Sequence, residues 1–383
     1  MHSRYTEKRH VAIIGAGYAG LIMAHALKEK GIHVSVFEKQ SGPGGLWRYT
    51  EHNYQPPDIR YSVEPLNSAI YPGLRTNLPV ELMTPPNLPE FFTDKTLYTQ
   101  FPVHNAVFQY LERYASHQSL NDCIYYNQEV LHIKPDKLYT LPSKHNRLSL
   151  VVRDLTAHHL SSDKYDAVVV CNGHFNKPYI PEMPGLSDYR GHLTHSLYYR
   201  ESQYYQGQNV IVVGAGSSAE DICKALSSAA RRVYQCRRPD DNAISPLRQG
   251  RYGSSRNITQ HDLIESCDNR TIRLCDGEIL SNIDSIILCT GYQYHFPFIS
   301  GSLASLIKNT GRNHLPAVRG RQHIATAEIH KNRHHHIIRH NLFGFLLHHV
   351  ILPADISRRQ ILLSTLELAS ATAEQLRVLR IRE

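Results

Sequence analysis

Val11–Leu21 reads VAIIGAGYAGL, and Val210–Glu220 reads VIVVGAGSSAE. Each is an apolar run that ends in a glycine-rich turn and then becomes helix-like. Continuous apolar runs of this kind mark strands buried on both faces of a parallel sheet. Around the first turn the pattern predicts a strand over His10–Ile14 and a turn over Gly15–Gly20. A helix over Leu21–Lys30, stopped by Gly31, and a second strand over His33–Phe37 complete it. That is one β-α-β unit of roughly 30 residues. The second turn repeats the order with strand Asn209–Val213, turn Gly214–Ala219, helix Glu220–Ala230 and strand Arg232–Cys236.

The repeat reaches beyond the turns. YDAVVVCNG (Tyr165–Gly173) aligns without gaps with IDSIILCTG (Ile283–Gly291), pairing Asp166 with Asp284 and Cys171 with Cys289. Each unit thus carries a later Asp-apolar strand able to close its sheet. The expected fold class is α/β, with two Rossmann-type dinucleotide-binding domains, the second inserted into the first. The expected division is 1–178 for the first part of the first domain and 179–292 for the insert. Residues 293–383 return to the first domain and supply a C-terminal segment.

In G-x-G-x-x-G the first glycine makes the tight turn and the second lets the backbone approach a pyrophosphate. The third lets the helix pack close to the strand. Free N–H groups and the positive dipole end of the helix then face the phosphates. Gly15, Gly17 and Gly20 fit in the strand-then-helix context the motif requires. The second turn offers Gly214 and Gly216, with Ala219 in the third place.

The distinction between the turns lies downstream. Glu38 follows Gly15 by 23 positions, and Arg237 follows Gly214 by 23 positions. A carboxylate there accepts hydrogen bonds from ribose hydroxyls, whereas a guanidinium suits a 2′-phosphate. Arg238 is placed to share that load. The first unit is therefore expected to take FAD and the second NADPH, and a chain holding both moves hydride from NADPH to flavin.

Composition limits the alternatives. A chain of 383 residues suits about two domains. The net charge of +8 suits anionic ligands, but no nucleic-acid-binding motif surrounds the basic cluster Arg319–His340. Seven cysteines include no C-x-x-C pair, which argues against a redox dithiol or zinc knuckle and for a reducing compartment. No apolar run approaches the length of a membrane span, and Asn341–Pro353 reads as a core segment. The polar start MHSRYTEKRH lacks a signal-peptide core. The expected location is cytoplasmic, with peripheral membrane association left open. Asn53–Glu90 reads as irregular, Val103–Gln118 as helical and Glu129–Leu160 as hairpin strands. RHHHIIRH (Arg333–His340) lacks metal-ligand spacing and reads as a solvated basic loop.

Several further motifs carry a resemblance. GPGGLWRY (Gly42–Tyr49), with Gly45, Leu46 and Trp47, resembles a second FAD loop. YRGHLTHSLYY (Tyr189–Tyr199) is similar to F-x-G-x-x-x-H-x-x-x-Y/F, with His195 and Tyr199 in place and Tyr189 for the first Phe. GAGSSA, including Ser217 and Ser218, resembles an NADPH turn, CTGY (Cys289–Tyr292) a late T-G-Y signature, and LRTNLPVELM (Leu74–Met83) a flavin-adjacent segment. In this order the motifs resemble the flavin-containing monooxygenases, class B flavoprotein monooxygenases of the short soluble type of fungi and plants.

The resemblance implies an activity like that of N,N-dimethylaniline monooxygenase. NADPH reduces FAD, O2 adds at flavin carbon 4a as a hydroperoxide, and a soft nitrogen or sulfur of a small molecule takes the oxygen. It also implies that Asn77 helps hold that adduct, and that His195 and Tyr199 act indirectly, in the linker near the NADP site. No metal is implied, and a homodimer is left open. The chain is short for the family, and Asn313–His340 matches poorly. A Baeyer–Villiger monooxygenase shares both turns, though its version of the His195 motif ends in Trp. A non-catalytic flavoprotein scaffold is the other alternative.

Overall fold

The computed structural model describes residues 9–49, 55–61, 66, 68–84, 90–92, 98–135, 147–238 and 250–299. It also gives the backbone of three strands at 326–331, 335–342 and 346–353. Two sheets organise these residues.

The first sheet is built on β1 (His10–Ile14), which lies parallel between β2 (His33–Phe37) and β7 (Ala167–Val170). The short β3 (Ile124–Tyr125) extends it beyond β2. At the other edge β18 (Thr326–Lys331), β19 (His335–Leu342) and β20 (Leu346–Pro353) run antiparallel, and β20 pairs with β7. The strand order is β18-β19-β20-β7-β1-β2-β3. Helix α1 (Tyr18–Glu29) joins β1 to β2 and buries Leu21, Met23, Ala24 and Leu27. The single turn α2 (Val80–Met83) and helix α3 (His104–His117) share that core through Val80, Met83, Val107, Leu111 and Tyr114. The other face of the sheet is covered by an antiparallel meander of β4 (Gln128–Pro135), β5 (Leu148–Asp154) and β6 (Leu160–Tyr165). Val130, Ile133, Leu148 and Leu150 pack there against Ile14, Phe37 and Val168.

The second sheet is wholly parallel. Its strands are β9 (His192–His195), β10 (Asn209–Val213), β11 (Arg232–Cys236), β12 (Ile258–His261) and β16 (Ser285–Leu288). They lie in the order β12-β11-β10-β16-β9. Helix α4 (Ser217–Leu226) joins β10 to β11. A second meander, β13 (Ile264–Asp268), β14 (Thr271–Leu274) and β15 (Ile279–Leu280), precedes β16 as the first precedes β7. The chain enters this unit through β8 (Lys177–Pro178) and leaves through β17 (Tyr292–Gln293), and these two pair with each other.

The aligned aspartates and cysteines hold equivalent places. Asp166 accepts from the backbone N–H of His10 at 2.8 Å, and Asp284 from that of Asn209 at 2.8 Å. Each carboxylate thereby fixes the entry of its unit's central strand. The N–H of Cys171 donates to Ile14 and that of Cys289 to Val213, each at 2.8 Å.

Three expectations need correction. Helices α1 and α4 begin at Tyr18 and Ser217, three residues early, because Gly17 and Gly216 serve as N-caps and the motif residues after them are already helical. Helix α4 ends at Leu226, short of Ala230. The basic segment is not a loop, since His335–Leu342 forms β19, with ladder bonds to β18 on one side and β20 on the other. Pairing on both edges satisfies its backbone groups, which outweighs the polar composition. None of the seven cysteines forms a disulfide, and no described helix is long and apolar enough to cross a membrane.

Candidate functional site

The two glycine turns sit at the carboxyl ends of β1 and β10, where open α/β sheets bind ligands. At Gly15 φ is +98°, and a Cβ there would lie 2.6 Å from the carbonyl oxygen of Cys171. At Gly214 φ is +142°, and a Cβ would lie 2.5 Å from the carbonyl oxygen of Cys289. Only glycine meets both demands. A Cβ on Gly20 would overlap the Gly15 carbonyl, so α1 rests closer to its strand than α4, which carries the buried Ala219.

The first turn is enclosed by its own chain. The 3-10 turn Gly45–Trp47 lies over it, with the Gly44 N–H donating to Ala16 O at 3.0 Å. Gly17 and Gly45 approach so closely that a Cβ on Gly45 would come within 2.8 Å of the Gly17 Cα. Trp47 is buried in the first core and Leu46 packs at its edge. Glu38 is 5% exposed. Its Oε2 accepts from Ala16 N at 2.6 Å and its Oε1 from Gln40 N at 2.8 Å. Burial pushes its carboxyl pKa up, and the backbone donors oppose that shift. Each oxygen retains a lone pair beyond these bonds, as a ribose contact requires. This cradle, closed to any side chain and lined by backbone N–H groups, fits a dinucleotide.

Among the described residues the second turn has no such cover, since a Cβ on Gly216 would meet none of them within 4 Å. Ser217 and Ser218 open α4 beside it. Arg237 ends the strand register, its N–H donating to His261 O at 3.0 Å. It is 2% exposed, at nearly the depth of Glu38, whereas Arg238 is exposed. No local pattern in the sequence marks this division within the pair.

His195 and Tyr199 are not part of either turn. The His195 ring is fully buried, its Nδ1 accepts from Leu197 N, and its Nε2 lies 3.1 Å from Gly291 O. With Nδ1 used as acceptor, the proton sits on Nε2 and is donated to Gly291. Burial pushes the imidazole pKa down to about 4, so the ring is neutral at pH 7. Gly291 O also accepts from Tyr179 N, and Tyr179 O from Thr290 Oγ1. His195 thus clamps both segments that connect the two units.

Asn77 is exposed. Its neighbours are pinned, Thr76 N to Pro102 O and Val80 N to Gln100 O. Two residues that sequence reasoning passed over tie this segment to the second unit. Arg200, buried, donates to Leu197 O, Tyr199 O and Ser68 O, and Ser68 Oγ donates to Leu46 O at 2.6 Å. Tyr71 OH lies 3.3 Å from Asp221 on α4, and its ring meets Tyr199 edge-on. A cavity of about 500 Å3 opens here, lined by Tyr71, Arg75, Tyr199, Glu201, Asp221 and Lys224 among others. Among the described residues no group of His, Cys, Asp or Glu is arranged for a metal.

Residues 8–256 match the family described as flavin-binding monooxygenase-like. The chain belongs to that family. Among sequences, it is 34% identical over 303 residues to flavin-containing monooxygenase FMO GS-OX-like 4 of Arabidopsis thaliana, covering 76% of this chain and 64% of that one. Among structures, S-allyl-L-cysteine S-oxygenase from Allium sativum superposes with a TM-score of 0.65 at 29% identity, over 84% of this chain and 66% of that one. Tmm from Pelagibacter sp. strain HTCC7211 gives 0.62 at 28% identity, over 76% of this chain and 63% of that one. This flavin-binding monooxygenase-like chain therefore spans less than two thirds of these relatives' lengths. The family match covers both glycine turns, Glu38, Asn77, His195 and Arg237, so the family and the two-sheet architecture agree.

Proposed function

We propose that this chain is an NADPH- and O2-dependent flavin monooxygenase with FAD in the first unit and NADPH in the second, acting on a soft sulfur or nitrogen atom of a small molecule. The observation that carries the reading is the reversal of charge at one place in a repeated fold, Glu38 in one unit and Arg237 with Arg238 in the other. The likeness to S-allyl-L-cysteine S-oxygenase from Allium sativum favours sulfur.

When bound, a flavin supplies hydride acceptance and reaction with O2. The chain's own residues do the rest. The backbone N–H groups of Gly17–Gly20 and of Gly45 hold the FAD pyrophosphate, and Glu38 accepts from its ribose. Gly214, Gly216, Ser217 and Ser218 hold the NADPH pyrophosphate, and the exposed Arg238 beside Arg237 takes the 2′-phosphate. The exposed Asn77, two residues on from Arg75 of the cavity wall, offers an amide to the flavin. Tyr71 and Tyr199 wall that cavity, their rings edge-on to each other. His195, neutral and fully bonded, exchanges no proton with a ligand and acts by fixing the connection between the units.

The test is to mix the FAD-loaded protein with NADPH or NADH without oxygen and follow the loss of flavin colour. Oxygen is then admitted with a sulfide, a thiol, a tertiary amine or a cyclic ketone. Rapid bleaching by NADPH and gain of one oxygen by the sulfide or amine are expected. No bleaching refutes the monooxygenase reading. Lactone formation from the ketone moves it to the Baeyer–Villiger class.

A further inference from the structure

The two units keep a constant offset from the first strand to the charged residue. Gly15 therefore matches Gly214, Leu21 matches Glu220, Val36 matches Gln235 and Glu38 matches Arg237. Leu21 and Val36 are fully buried and apolar. At the same places under the second turn stand Glu220 and Gln235, both buried.

Gln235 uses all of its hydrogen-bonding capacity. Its Nε2 donates to Gly214 O at 3.2 Å and to Glu220 Oε1 at 3.1 Å. Its Oε1 accepts from Tyr252 OH at 2.5 Å and from Gln260 Nε2 at 2.9 Å. Glu220 lies in the first turn of α4. Gln260 lies on β12, one residue before His261, which receives the N–H of Arg237. One buried side chain therefore joins the carbonyl of the turn's first glycine, the start of the phosphate-facing helix and the strand beside Arg237.

A buried polar pair stabilises a fold no better than a well-packed apolar pair of similar size. The first unit, with Leu21 and Val36, shows that this architecture stands without it. What the polar pair adds is direction, because a fully satisfied network admits one arrangement of its members. We propose that Gln235, with Glu220, is a positioning residue for NADPH, holding the second turn in its phosphate-binding geometry before the cofactor arrives. The second turn needs such support, because among the described residues no loop like Gly45–Trp47 lies against its middle glycine. The inference rests on the second unit being the NADPH site.

The test compares Q235V, E220L and the double variant, which installs the first unit's residues. FAD content, thermal midpoint and the dissociation constant of NADP+ are measured on FAD-loaded protein, the last by calorimetry. Each single change removes one partner of a buried pair and is expected to lower the midpoint. In the double variant the midpoint returns toward wild type while NADP+ still binds about tenfold more weakly, the worth of one directed hydrogen bond. Y252F, which deletes a single donor to Gln235 at the edge of the network, is expected to weaken NADP+ with FAD content unchanged. This second variant decides the matter if the double variant does not fold. A double variant or Y252F that binds NADP+ as wild type does overturns the positioning role. Wild-type protein that binds no NADP+ overturns the site assignment itself, and the inference with it.

Discussion

The two glycine turns can be disabled one at a time, and the consequences should not be alike. In Gly15→Ala the new Cβ would stand 2.6 Å from Cys171 O, where ordinary contact begins near 3.4 Å. The methyl or the carbonyl must therefore move by about 0.8 Å. The carbonyl cannot swing away, because it belongs to the residue whose N–H is bonded to Ile14 of the central strand. Overpacking of this kind costs about 1–3 kcal/mol, and a non-glycine residue at positive φ adds about 1–3 kcal/mol. Together that is roughly 2–6 kcal/mol, or a fall in thermal midpoint of about 2–7 °C for a chain of this size at about 2.1 cal/mol/K of unfolding entropy per residue. Gly214→Ala meets nearly the same obstacle, 2.5 Å from Cys289 O, so its thermal cost should be similar. The ligand readouts separate the two. Gly15→Ala should emerge from purification with FAD well below one per chain. Gly214→Ala should keep its FAD and lose affinity for NADP+. Flavin absorbance per chain and calorimetric titration with NADP+ make the comparison. If Gly214→Ala sheds FAD while Gly15→Ala keeps it, the assignment of cofactors to units is wrong.

Arg238→Ala should weaken NADPH binding by about 1.5–3 kcal/mol, the worth of a charged hydrogen bond, and leave NADH nearly unchanged; an equal loss for both cofactors removes Arg238 from the 2′-phosphate. Ser68→Ala deletes the donor to Leu46 O, which should cost about 1 kcal/mol and speed FAD release, seen as a faster rise in free flavin fluorescence. His195 carries a pH signature. Its folded pKa of about 4 lies below the ordinary value of 6.5, so the unfolded chain binds the proton more tightly. Its stabilising contribution is complete above pH 6.5 and is lost as pH falls toward 4, up to roughly 3 kcal/mol. Urea titrations across that window should show a shallower slope in His195→Gln, and an unchanged slope would place the acid sensitivity elsewhere.

The elements around each turn were legible because apolar runs with glycine punctuation admit few other structures. His10–Ile14, His33–Phe37, Asn209–Val213 and Arg232–Cys236 stand as strands with the bounds the sequence suggested. Helix starts were less legible, since Tyr18 and Ser217 belong to the glycine motif and to the helix at once. The strand β19 was hidden by its histidines and arginine, because pairing partners far along the chain, not local composition, decide a backbone's state there. The charge contrast of Glu38 and Arg237 could be read from spacing alone, but not that Arg237 is buried while Arg238 is exposed. Arg200, Ser68 and Gln235 escaped notice for the same reason. Each acts through contacts with residues distant in sequence, and no local pattern announces such contacts.

The ribbon of β8 and β17 has a mechanical consequence. An inserted unit normally hangs from its host by two independent tethers, each adding freedom to turn. Here the outgoing and returning segments are hydrogen-bonded to each other, and His195 is fastened to the same carbonyl at Gly291. Two tethers joined this way behave as one pivot. The bonds from Arg200 to Ser68 and from Tyr71 to Asp221 brace the same joint from the side.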